Sequence, residues 1–189
     1  MRILMLGNSF TMANHMPEML AARLDAEVVP HTRGGARLAE HLNPKTKMGV
    51  KTQEALENEN WDFVVLQEMS NGPVTSTDRF LKSVKELCKL IRSSGAMPVL
   101  FETWAYQEGC PRLDAMQIGH KDMYIQMKEA YHLAAEENQA LIACAGEQFY
   151  ALESTHPLYA VDFIHPSEQG SRIAMESIAD TIERYLNQR

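Results

Sequence analysis

Short, continuously apolar runs alternate along this chain with longer stretches in which apolar positions recur at helical spacing. The short runs predict strands near residues 2–6, 26–30, 62–67, 97–102 and 140–144. Val64-Val65-Leu66 and Pro98-Val99-Leu100-Phe101 carry no polar alternation, as expected of strands buried on both faces. Between them, Phe80, Val84, Leu87, Cys88 and Ile91 form one helical stripe, stopped by Ser94-Gly95. Met123, Met127, Ala130, Tyr131 and Ala134 form another. A last helix is expected from Ser167, its N-cap, to about Leu186, with Ile178, Ile182 and Tyr185 inward. Strands alternating with helices predict an α/β fold, a parallel sheet covered on both sides.

Ligands of open parallel sheets bind at the carboxyl ends of the strands. Three segments should reach that edge: the turn at Ser9, the stretch Gln67–Gly72, and a long connection from Thr103 to about Gly119. Connections of that length in compact domains are often functional. This one holds Trp104, Tyr106, Gly109, Cys110 and Pro111.

The 189 residues are most simply one domain, 1–189, with 45% hydrophobic and 23% charged residues and no internal repeat. A formal net charge of −7, without a basic run, argues against a nucleic-acid or anionic-membrane surface. The twelve methionines read as core filler. Cys88, Cys110 and Cys144 are an odd set without motif spacing, which predicts reduced thiols and a cytoplasmic protein. Met1-Arg2 runs directly into the first strand, so neither a signal peptide nor a membrane span is expected.

The candidate chemistry lies at the two ends of the chain. Gly7-Asn8-Ser9 ends the first strand in a turn that presents a hydroxyl. Taken alone it also suits an ordinary turn with side chains on nearby amides. Asp162 precedes His165 by three residues, so its carboxylate can fold back onto Nδ1–H and free Nε2 as a base. Nucleophile, base and orienting carboxylate are the parts of an acyl-transfer site. Such a site also needs donors for the developing oxyanion. Gly34-Gly35, ahead of a helical pattern, offers backbone amides, while Gln67, Ser70 and Asn71 come after the third strand.

This set resembles the GDSL/SGNH hydrolase family of esterases and lipases, named for Ser, Gly, Asn and His in four blocks. Gly7-Asn8-Ser9-Phe10 is similar to the Gly-Asp-Ser-Leu block, with Asn8 replacing aspartate. Gly35 falls at the oxyanion glycine, and Asp162 to His165 resembles the terminal Asp-x-x-His block. The third block departs from the pattern, with Met69 for the usual glycine and Gly72 for the aspartate. Either Asn71 or Gln67 is therefore the side-chain donor. The resemblance implies a three-layer α/β/α sandwich on a five-stranded parallel sheet. It also implies a Ser9-His165-Asp162 triad and an oxyanion hole from the amides of Ser9 and Gly35 with Asn71 or Gln67. The expected reaction is hydrolysis of a short-chain acyl ester without cofactor or metal. Trp104 and Tyr106 suit either a stacking wall for a sugar ring, which would favour a carbohydrate O-acetyl ester, or packing within a folded loop.

A rival from another class is a flavodoxin-like module whose loop Ser9, Thr11 and Asn14 cradles a flavin phosphate. It leaves Asp162 and His165 without a role. His15, His31, His41 and His156 have no metal-ligand spacing and are expected at the surface or as caps.

Overall fold

The computed structural model describes residues 1–188. Its elements in chain order are β1 (Arg2–Gly7), α1 (Ser9–Met12), α2 (Met16–Leu24) and β2 (Glu27–Thr32), then α3 (Leu38–His41), α4 (Lys47–Asn58) and β3 (Phe63–Leu66). Next come α5 (Gly72–Thr75), α6 (Thr77–Ser93), β4 (Met97–Glu102), α7 (Pro111–Met116) and α8 (His120–Asn138). The chain closes with β5 (Leu141–Cys144), α9 (Ala145–Leu152) and α10 (Glu168–Leu186).

All five strands pair in parallel in the order β2-β1-β3-β4-β5. Helices α2 and α10 pack together on one face, and α4, α6 and α8 cover the other. The fold is thus the expected three-layer sandwich, with strand limits within two residues of those read from the sequence. Chain order reverses direction between β1 and β3, which opens a crevice at their carboxyl ends. Beyond the first residue of β1 both strands are buried, so their ends are rigid mounts for the turns at Ser9 and Asn71.

The helical stripes bury as expected. Phe80, Val84, Leu87, Cys88 and Ile91 all face the core from α6, and Gly95 ends that helix with a φ of +87°. Ser167 caps α10 by accepting the Gly170 N–H at 3.1 Å. All three cysteines are free, and no helix among the described residues is long and apolar enough to cross a membrane.

Two histidines depart from expectation. His31 and His41 are buried, at 4% and 3% exposure, rather than at the surface or capping a helix. His31 sits in β2 where the sheet is covered by α4, and His41 packs its Nδ1 2.8 Å from Thr52 Oγ1. Apolar residues flank neither position continuously, so periodicity gave no warning. Burial pushes both rings down to about 4, helped by Lys51 at His31 and by His31 itself at His41. The unfolded chain therefore binds more protons than the native one between about pH 6.5 and 4. The contribution of these two rings to stability should be complete well above pH 6.5 and fall by roughly 3 kcal/mol per histidine as pH drops to 4. Urea unfolding of wild type and His41→Gln at steps from pH 7 to 4.5 isolates the ring's share by difference, since buried Glu102, raised to about 8, contributes with the opposite sign. His41→Gln should flatten the slope above pH 5, and an unchanged slope would remove the ring from the account.

Candidate active site

The segment after β1 is set by Asn8, which is buried and caps α1. Its Oδ1 accepts the Phe10 N–H at 3.1 Å, while Nδ2 donates to the carbonyls of Ala36 at 3.1 Å and Glu68 at 3.4 Å. A carboxylate could serve the first contact but would oppose both carbonyls. That is the physical reason for asparagine where the family block has aspartate. Ser9 is the first residue of α1, with its side chain turned to the chain's other end.

There a tight loop holds Asp162 and His165. Asp162 Oδ1 accepts the N–H groups of Ile164 at 3.0 Å and His165 at 2.9 Å. Its Oδ2 lies 2.5 Å from His165 Nδ1, and His165 Nε2 lies 2.9 Å from Ser9 Oγ. Partial burial raises the Asp162 carboxyl, but the His165 ring and the two amides outweigh it and hold the group below the usual aspartate range. An ionised Asp162 fixes the proton on Nδ1 and leaves Nε2 free to accept one.

The loop is pinned from several sides. Phe163 turns it at a φ of +64°. Trp104 Nε1 donates to the Ile164 carbonyl at 3.0 Å, and the Gln107 N–H to the Phe163 carbonyl at 2.9 Å. Asn14 Nδ2 donates to the Pro166 carbonyl at 3.0 Å, and Phe10 sets its ring edge-on to His165 with centroids 5.3 Å apart. None of these supporting contacts was identifiable from spacing, because each joins residues far apart in the chain.

Ser9, Asp162 and His165 border a cleft of about 510 Å³ that is also lined by Gly35 and Asn71. Gly35 adopts a φ of +68°, a conformation that favours glycine, two residues ahead of the Arg37 N-cap of α3. Among the described residues the N–H groups of Ser9 and Gly35 have no protein acceptor. The Asn71 side-chain amide donates, among the described residues, to the Met116 thioether alone, at 3.8 Å, a weak acceptor, and its Oδ1 has no partner. Asn8 and Phe10 from the β1 turn, with Met69, Ser70, Cys110, Pro111, Arg112 and Ile164, complete the lining. All of these lie in the three segments expected at this edge or in the Asp162–His165 loop, although the sequence assigned no individual role to Arg112 or Ile164.

Three expectations need correction. Gln67 is buried away from the cleft; its Oε1 accepts from Asn8 N and Thr11 Oγ1, and its Nε2 is taken by the Glu68 carbonyl. It braces the β1 turn and does not line the cleft. Trp104 and Tyr106 are 1% and 0% exposed and cannot wall a substrate. Trp104 is stacked between Phe10 at 4.9 Å and Phe149 at 3.9 Å, and the Tyr106 hydroxyl bonds Ser70 Oγ at 2.8 Å. Thr11 and Asn14, the proposed phosphate cradle, are likewise engaged, with Gln67 and with Pro166 and Ser171.

A larger groove of about 660 Å³ lies elsewhere, beside α4 and α6. Its histidine, His41, and the Thr52 hydroxyl it contacts are both buried, so size does not mark the chemistry.

No family model matches this sequence, and no curated protein does. Solved structures do. A protein of Slackia heliotrinireducens assigned to the SGNH hydrolases is 53% identical over 96% of this chain and 98% of its own, with a TM-score of 0.94. The chain belongs to the SGNH hydrolase family, and it is a hydrolase. The fold is shared more widely. The psychrotrophic esterase EstA of Pseudoalteromonas matches at 15% identity over 98% of each chain, with a TM-score of 0.71. A protein of Parabacteroides merdae assigned to the GDSL-like lipases matches at 12% identity over 95% of this chain and 94% of its own, with a TM-score of 0.72.

Proposed function

We propose that this protein is a serine esterase acting on short-chain acyl esters through Ser9, His165 and Asp162. The observation that carries the reading is the unbroken contact from Asp162 Oδ2 through both ring nitrogens of His165 to Ser9 Oγ, at 2.5 and 2.9 Å. His165 Nε2 takes the Ser9 proton as Oγ attacks the ester carbonyl, and the imidazolium is stabilised by Asp162. The oxyanion is received by the N–H groups of Ser9 and Gly35 and by the Asn71 amide. His165 then gives its proton to the leaving alkoxide. Water enters, loses a proton to the same nitrogen, and releases the acid from Ser9.

The acyl group would rest against the apolar lining that Phe10, Met69, Cys110, Pro111 and Ile164 supply beside Ser9. With Trp104 and Tyr106 buried, nothing in this chain argues for a sugar ring over another alcohol. The test is a series of p-nitrophenyl esters of rising acyl length, hydrolysed by wild type and Asn71→Ala. Acetyl or propionyl esters should be preferred, and loss of the Asn71 donor should lower kcat by about 10²–10³-fold. Preference for long chains would overturn the substrate assignment, and unchanged turnover would remove Asn71 from the oxyanion site.

A further inference from the structure

We propose that Glu102, His132, Cys144 and Glu147 form a site for one divalent transition-metal ion, with zinc the best fit, separate from the Ser9 cleft. Glu102 and Cys144 are the last residues of β4 and β5 and are paired in register across the sheet. His132 reaches them from α8, and Glu147 from the first turn of α9. One ligand atom from each side chain lies within 4.8 Å of all the others. His132 Nε2 is 3.0 Å from Glu147 Oε1, 3.6 Å from Glu102 Oε2 and 3.9 Å from Cys144 Sγ. Tetrahedral zinc, with bonds of ~2.0–2.3 Å, needs ligand atoms about 3.3–3.7 Å apart. Small rotamer adjustments would close that gap.

A cluster of this kind carries weight only if something in it is left unsatisfied, and Glu102 is. Its side chain is 1% exposed, and neither carboxylate oxygen has a hydrogen-bond partner among the described residues. Buried carboxylates are ordinarily paired or bound to metal. Gly146 makes the space: a Cβ there would lie 2.7 Å from Glu102 Oε1 and overlap the Thr103 carbonyl. The donor set selects the ion, since thiolate and imidazole favour zinc or cobalt over magnesium or calcium. Charge also closes. Three anionic ligands around a divalent ion leave one negative charge, and Lys128 Nζ sits 2.5 Å from Glu147 Oε2 to neutralise it. Four protein ligands leave no open position, so the ion would be structural, tying the edge strand β5 to β4, α8 and α9. No pattern in the sequence exposes this site, because its ligands come from four separate elements.

The test uses full-length protein without an affinity tag, stripped by chelator and titrated with zinc or cobalt chloride. One equivalent should bind, and zinc at about a hundred times Kd should raise Tm by roughly 5–10 °C. Cobalt should give a thiolate-to-metal charge-transfer band. His132→Ala alters a side chain that is 43% exposed, so that variant should fold yet lose the Tm rise. Cys144→Ser should lose the band. If wild type binds no stoichiometric metal, Glu102 is simply a buried protonated acid and the proposal fails. It fails equally if both variants bind as wild type does, since the ion then sits elsewhere.

Discussion

Ser9→Ala should lower kcat/KM for an acetyl ester by at least about 10⁴-fold, while far-ultraviolet dichroism and Tm stay near those of wild type. The size comes from the role. In the proposed mechanism the hydroxyl is the one atom at which the acyl-enzyme bond forms, so its removal would abolish the covalent route and leave only the contribution of the oxyanion donors. The structural cost is small. Ser9 Oγ makes one side-chain contact, to His165 Nε2 on a half-exposed ring, and the helix cap belongs to Asn8. Steady-state kinetics beside a melting curve separate the two effects. Activity within tenfold of wild type would mean that another group attacks the ester.

Asp162→Asn should be nearly as severe, at about 10⁴-fold in kcat, for a different reason. The asparagine Oδ1 can still accept the N–H groups of Ile164 and His165, so the loop should keep its shape. Its Nδ2 would then donate to His165 Nδ1, forcing the ring proton onto Nε2, where it faces Ser9 and cannot accept. Geometry survives and the base is lost. Asp162→Ala removes the loop bonds as well and should lower Tm, which Asp162→Asn should not. A kcat loss below about tenfold in Asp162→Asn, with intact Tm, would show that the carboxylate does not govern the tautomer.

The sheet could be read from the chain because parallel strands buried on both faces leave continuous apolar runs, and α6 and α10 because one face of each is packed. Ser9, Asp162 and His165 could be singled out because the strand end, the three-residue spacing and the helix after Ser167 each constrain local geometry. What local pattern does not encode is which way a side chain turns at a strand end. Trp104 and Tyr106 lie just past β4, yet both turn inward, Trp104 into an aromatic stack with Phe10 and Phe149. Gln67 lies at the end of β3, close in sequence to Asn71, but it turns under the β1 turn to satisfy buried donors there. Glu102 and His132 lie in separate elements, and only the register of β4 with β5 and the packing of α8 bring them together.

The most direct measurement is the site of modification by a fluorophosphonate ester, which reacts only with an activated nucleophile. Intact mass and peptide mapping together should find one adduct per chain, on Ser9, formed in step with loss of hydrolysis and suppressed in His165→Ala. Complete inactivation with the label on any other residue, or full labelling of Ser9 without His165, would contradict the account.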